Sequence, residues 1–287
     1  MITQKKVGKS MKNAIHMLNN SSTQEKYPGQ MNSFIIETEM GQLIVMDGGY
    51  RGQCEYLLNQ LREISGESKP RVAGWFLSHC HHDHIECFME MVEKYSEEIE
   101  IQHVYYNFPS IQFMDKNEPH FAASIKEFYN LLSRFADFAV IVSEGDCYEL
   151  GGALFEILYS PNPAWTMNTG NNSSIVIRMT LGGQIVMFLG DLGVEAGNQL
   201  LDKYGATLKS DYCQMAHHGQ NGVTKEVYQA IAPSACMWCT PVWLWNNDMG
   251  DGYNTCVFKT LETREWMEEL GVKKHYVMKD GDQVIEL

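Results

Sequence analysis

From residue 31 onward the chain alternates short apolar, β-rich runs with stretches of helical period. Residues 32–49 (NSFIIETEMGQLIVMDGG) hold two such runs joined by a turn at Met40-Gly41, which predicts a hairpin ending on Asp47 and two glycines. A helix is expected near 52–65, and then a buried strand, AGWFLSH, runs into a cluster of histidines. Ile85, Phe88, Met89 and Val92 fall at i, i+3, i+4 and i+7, so this histidine loop opens into an amphipathic helix. A strand is predicted at 101–106, and Phe121, Ile125, Phe128, Leu132 and Phe135 mark a longer amphipathic helix.

The second half repeats this logic. A strand near 153–159 leads into the polar stretch PNPAWTMNTGNN, a strand at 174–180, a Gly-Gly turn and the buried run QIVMFL, which ends at Gly190-Asp191. A helix at 195–203 and a strand at 211–216 follow, delivering His217-His218-Gly219. Helices are expected at 224–231 and 257–270, with short strands near 235–239, 274–278 and 283–286. Strands interleaved with helices define an α/β class, and two similar halves suggest two sheets packed face to face with helices outside, an αββα four-layer sandwich. Residues 1–30 read either as a loosely held arm or as a first strand, and 31–287 as one domain.

Composition narrows the class. With 287 residues, 44% hydrophobic and 20% charged, the chain has the material for a sizeable core and no disorder signature. No apolar run approaches the roughly 18 residues of a membrane span, and the first residues lack the apolar segment of an export signal. Eight scattered cysteines suit a reducing compartment, and a cytoplasmic location is expected. Only Cys236 and Cys239 form a C-x-x-C pair, inside a run that reads as a buried strand. The formal net charge is −14, and past residue 30 there are 17 basic against 35 acidic residues. An acidic body disfavours broad contact with a nucleic-acid backbone.

The candidate chemistry is concentrated in Ser78-His79-Cys80-His81-His82-Asp83-His84, four histidines and an aspartate within six positions. In extended chain His79 and His81 point to one side, while Asp83 and His84 turn over at the helix start towards a second point. Imidazole and carboxylate suit zinc, manganese or iron, and the cluster has too many donors for one tetrahedral ion, so two metals are implied.

H-x-H-x-D-H after a buried strand resembles the signature of the metallo-β-lactamase superfamily, and the resemblance runs from about residue 32 to the C-terminus. More narrowly, NNSSIVIRM, VMFLGDLG and LKSDYCQMAHHG are similar in order to the metallo-hydrolase domain of the DNA-uptake competence protein and its free-standing relatives. The resemblance implies that Asp47 orients the histidine loop, that Asp191 bridges two divalent ions, zinc or manganese, and that the AHHG run supplies the last histidine. Of that pair, His217 is favoured as ligand because it directly follows the strand, with His218 facing substrate. His82, between ligands, is expected to support them from outside.

One departure stands out. Many members of that family place a further histidine before the bridging aspartate, where this chain has Asn162, Asn168, Asn171 and Asn172. The first metal would then have His79, His81 and Asp191, and bind less tightly than the second, held by Asp83, His84, Asp191 and a histidine of the HHG pair. Asp83, His218 and Asn172 are expected to serve the reaction itself, and Asn171, Trp243 and Trp245 to contact substrate at a pocket rim. The implied activity is hydrolysis of a small phosphodiester by a hydroxide bridging the metals. The alternatives are a single-strand nuclease, a lactonase or amide hydrolase, and a non-catalytic, metal-stabilised ligand-sensing domain. A small-molecule substrate is the expected partner, with nucleic acid disfavoured by charge and no membrane contact.

Overall fold

A computed structural model describes residues 12–19 and 30–287. The Lys-rich part of the proposed arm, 1–11, lies outside the described residues, whereas Ala14–Met17 is a strand, β1. The first sheet continues with β2 (Ser33–Glu37), β3 (Leu43–Asp47), β4 (Arg71–Leu77), β5 (Glu100–Ile101), β6 (Val104–Tyr106) and β7 (Ala139–Ile141). The second contains β8 (Cys147–Leu150), β9 (Ala153–Tyr159), β10 (Val176–Leu181), β11 (Gln184–Phe188), β12 (Tyr212–Gln214), β13 (Ala235–Trp238) and β14 (Lys274–Val277). The C-terminal β15 (Gln283–Glu286) returns to the first sheet and pairs antiparallel with β1, giving the order β15-β1-β2-β3-β4-β6-β7, with β5 beside β4. The second sheet runs β14-β13-β12-β11-β10-β9-β8.

Alternation along β4 shows how the layers form. Trp75 points outward and meets Phe88 edge-on at 5.3 Å, while Phe76 points inward and stacks on Phe155 of β9 at 4.8 Å. Phe34 of β2 meets Phe188 of β11 at 5.4 Å across the same interface. Helices α1 (Cys54–Ser65), α2 (His82–Lys94), α3 (Ile111–Asn117) and α4 (Ala122–Leu131) belong to the first half, and buried residues of α1, α2 and α4 join its core. Helices α5 (Val194–Tyr204), α6 (Lys225–Ile231), the short α7 (Val242–Trp245) and α8 (Thr260–Glu269) follow; α5, α6 and α8 build a second cluster on Trp238, Met215 and Leu189. The result is the expected αββα sandwich. No helix among the described residues is long and apolar enough to cross a membrane.

Five elements differ from the sequence expectations. The strand at 101–106 is split into β5 and β6, and β7, β8 and α3 were not foreseen. The helix expected through Phe135 ends at Leu131 and tightens into a 3₁₀ turn at Leu132–Arg134. β8 is the edge of its sheet, and β7 has only three residues, so neither presents the two-sided apolar run that marks a central strand.

Candidate metal centre

β4 ends at Leu77, and Ser78 to His81 cross the open end of the sheet before α2 begins at His82. Asp47, at the end of β3, holds this loop in place. Its carboxylate accepts from Ser78 N (2.7 Å), Ser78 Oγ (2.8 Å) and His84 Nδ1 (2.9 Å), and its carbonyl accepts from Trp75 Nε1 (2.8 Å). Asp47 thus has the orienting position implied by the resemblance. Because His84 donates through Nδ1, its Nε2 is left to face the space between the sheets' ends. His79 is treated alike, with Ser78 Oγ 3.0 Å from Nδ1.

The second half meets this loop from the other side. Gln214 of β12 accepts from both Leu189 N and Gly190 N at 2.8 Å, fixing the turn that presents Asp191. After β12 the chain makes a tight turn in which His217 (φ 50°) and His218 (φ 57°) are both left-handed, a strained pair of the kind found at functional sites. Gly219 (φ 81°) completes it, and a Cβ there would fall 2.4 Å from the Trp238 ring.

Two donor sets result, sharing one carboxylate: Asp83, His84, Asp191 and His218 form one, and His79, His81 and Asp191 the other. In the set that holds Asp83, the second position, His218 Nε2 lies 2.9 Å from Asp83 Oδ2 and 3.3 Å from Asp191 Oδ2, and His84 Nε2 lies 3.3 Å from Asp191 Oδ1. In the other, His79 Nε2 is 3.9 Å from Asp191 Oδ2. The residues fit a pair of divalent ions. His79 Nε2, His84 Nε2 and Asp191 Oδ1 are fully buried without a hydrogen-bond partner, which is costly unless a cation takes them up. His81 Nε2 faces Gly170, whose added Cβ would fall 2.1 Å away, so Nδ1 is the His81 nitrogen left for an ion.

The electrostatics point the same way. Burial holds His79 well below the usual histidine range and lowers His81 to about 3, leaving both neutral and able to coordinate. Burial also opposes protonation of His84 and His218. The carboxylates outweigh it: Asp191, Asp47 and Asp83 hold His84 well above its ordinary value, and Asp191 and Asp83 raise His218 to about 10. Asp83 and Asp191 are themselves held below the carboxylate range, against burial, by His84 and His218. An ion held by this set would compete with those histidine protons, so its binding would tighten as pH rises.

The structure corrects three sequence expectations. His218, not His217, joins Asp83, His84 and Asp191, because the two left-handed residues swing the second imidazole back over the carboxylates, where Nδ1 donates to Cys239 O (3.1 Å). His217 sits on the cavity wall, its Nδ1 3.3 Å from Asn221 O and its Nε2 3.9 Å from Asp191. Asn172 does not face substrate: its amide nitrogen donates to Met167 O and Glu195, and its oxygen accepts from Ala196 N. Trp245 packs edge-on against Trp238 at 5.4 Å and beneath Arg264 at 4.1 Å, away from the cavity.

Asn171 and Trp243 do line the cavity, which has a volume of about 300 Å³, and His82, expected to support the ligands from outside, lines it as well. Gln30, Tyr50, Glu118, Phe121, Gln220 and Phe258 complete it and were missed as cavity residues: Gln30, Tyr50, Glu118 and Gln220 come from loops with no periodic or motif signal, whereas Phe121 and Phe258 were read as helical positions and lie just ahead of α4 and α8. Phe121 stacks on His81 at 3.8 Å, and Glu118 accepts from Gly170 N at 2.6 Å. His275 lies elsewhere, accepting from Trp238 Nε1 at 3.1 Å. His218→Ala is expected to remove about one of two ions per chain by elemental analysis, whereas His217→Ala keeps both; equal losses would contradict this division of roles.

The sequence profile of the metallo-beta-lactamase superfamily matches residues 27–234, and the chain belongs to that family. The chain is 30% identical over 99 residues to ComE operon protein 3 of Bacillus subtilis (strain 168), a match covering 33% of this chain and 12% of that protein. Two solved structures share the fold at 12% identity over 96% of this chain. They are the metallo-beta-lactamase fold protein YhfI from Bacillus subtilis (TM-score 0.57, all of that chain) and CmlA, a diiron beta-hydroxylase from Streptomyces venezuelae (TM-score 0.58, 54% of that chain).

Proposed function

We propose that the protein is a metal-dependent hydrolase of small phosphodiesters, using zinc or manganese. The observation that carries this reading is the pair of donor sets sharing Asp191 at a cavity of about 300 Å³ whose lining, among the described residues, includes no Lys or Arg. That volume is at the lower end for small-molecule pockets. When bound, two divalent ions supply hydroxide at neutral pH and neutralise phosphoryl oxygens. One phosphodiester charge is then matched without a cationic side chain, whereas a long polyanion needs a track of them.

The residues divide the remaining work. Asp191 fixes the spacing of the two sets, and Asp83, beside His218, holds the second set towards the cavity. His217 and Asn171 reach the cavity beside Asp191 and are placed to touch the substrate's oxygens or leaving group. Trp243 and Phe258, 5.6 Å apart and edge to face, offer an apolar wall to the organic substituent.

The cation-free lining also favours a second reading, hydrolysis of an uncharged lactone or amide. A panel of bis(p-nitrophenyl) phosphate, short single-stranded DNA, duplex DNA and a lactone, assayed on metal-loaded protein at physiological salt, separates these. The expected order places the small phosphodiester first, by at least about tenfold in kcat/KM, equivalent to about 1.4 kcal/mol. Efficient DNA cleavage without small-phosphodiester turnover would promote the nuclease reading, and lactone turnover alone the acyl one.

A further inference from the structure

Gln30 stands ahead of β2, nine-tenths buried, with its side chain against two members of the second donor set. Its amide nitrogen donates to Asp83 Oδ2 and lies 3.3 Å from His218 Nε2. Asp83 and His218 are two of the residues this set offers an ion. Atoms bound tetrahedrally to one zinc at 2.0–2.2 Å lie about 3.3 to 3.6 Å from one another. At 3.3 Å from His218 Nε2 the Gln30 amide stands at the spacing of an additional donor, while its contact with Asp83 is a hydrogen bond shorter than that spacing. A half-turn about Cγ–Cδ exchanges its nitrogen for its carbonyl oxygen in that place. Without an ion the nitrogen is the favoured end, because it donates to a carboxylate; with a cation between the donors, the oxygen is.

We infer that Gln30 is a fifth ligand of the second set, through its side-chain carbonyl oxygen. The inference rests on the metal-dependent reading above. Its backbone is held in place: the Gln30 main-chain carbonyl accepts from Gln53 Nε2 (3.0 Å), and Gln53 Oε1 accepts from Tyr50 N (2.8 Å). The set then has three oxygen donors and two imidazoles, a composition that suits manganese as well as zinc.

Gln30→Leu and Gln30→Glu separate a ligand from a mere hydrogen-bond donor, because the two roles give Gln30→Glu opposite outcomes. A carboxylate still supplies oxygen to an ion, but it cannot donate to Asp83 and repels it. Affinity for Mn²⁺ and Co²⁺ is measured by chelator competition, with the visible absorption of the cobalt-loaded protein as a readout of ligand number. Gln30→Leu is expected to weaken the second ion at least about tenfold and to strengthen the cobalt absorption as a ligand is lost. Gln30→Glu is expected to bind it as tightly as wild type or more so.

Equal weakening in both variants, or no change in Gln30→Leu, overturns the inference. Should Gln30→Leu fail to fold, Gln30→Met, which keeps the side-chain length and loses the oxygen, takes its place: weaker Mn²⁺ binding supports the inference and unchanged binding overturns it. Wild-type protein that takes up no ion removes the metal-dependent reading and the inference together; two ions indifferent to Gln30 remove only the inference.

Discussion

Asp191→Asn should lose both ions and at least about a thousandfold in kcat/KM, a change of about 4 kcal/mol in transition-state stabilisation. Asp191 is the one residue common to both donor sets, so no substitution elsewhere in the cluster should empty both positions. An amide in its place removes a full negative charge from a buried site and leaves only one oxygen able to coordinate. The same change takes away the carboxylate that sits 3.3 Å from both His84 Nε2 and His218 Nε2. His84→Ala is the contrast, since it should empty mainly the second position and leave His79, His81 and Asp191 able to hold an ion. Elemental analysis of each variant, beside circular dichroism to show that the fold persists, checks the pair. Two ions retained by Asp191→Asn with unchanged turnover would show that the sets do not depend on this carboxylate.

What could be read from the sequence depended on how local the cause was. β4 and α2 were legible because their apolar residues repeat with the period of the element, and the histidine loop between them is contiguous. Asp191 was legible because a carboxylate at the end of so apolar a strand is unusual. The order of His217 and His218 was not, because it turns on two left-handed backbone angles that no side-chain pattern announces. Trp243 and Trp245 were expected to share a rim. They lie instead on a helical turn, α7, where positions two apart are about 200° apart around the axis, so one reaches the cavity and the other the core. Asn171 and Asn172 divide for a similar reason within the 3₁₀ turn Asn171–Ser173. Gln30, Glu118 and Phe258 reach the cavity from separate loops, and only the tertiary fold brings them together.

Gly170→Ala should disable the first donor set while sparing the second, although Gly170 offers no donor side chain. Its backbone is ordinary (φ −60°), so the requirement for glycine there is one of space rather than of conformation. An added Cβ would fall 2.1 Å from His81 Nε2 and about equally far, 2.9 and 3.0 Å, from the two carbons flanking it. The imidazole has little room to retreat, since Phe121 stacks on one face at 3.8 Å, and the loop is pinned by Gly170 N donating to Glu118 at 2.6 Å. Either the ring or the 168–173 loop must move by an ångström or more, and misplacement on that scale costs on the order of a hundredfold in rate. This is the loop that carries asparagines where many relatives were expected to place a histidine, so the first set has no spare ligand to compensate for His81. The expected result is release of one ion at a chelator concentration that leaves wild type fully loaded, with the second ion held as before and kcat/KM down about a hundredfold. Phe121→Ala in the same background should restore part of the loss by freeing the face on which the ring is stacked, so that it can tilt away from the new methyl group. Unaltered loading and turnover in Gly170→Ala would mean that His81 is not held by this contact and that the first position does not depend on it.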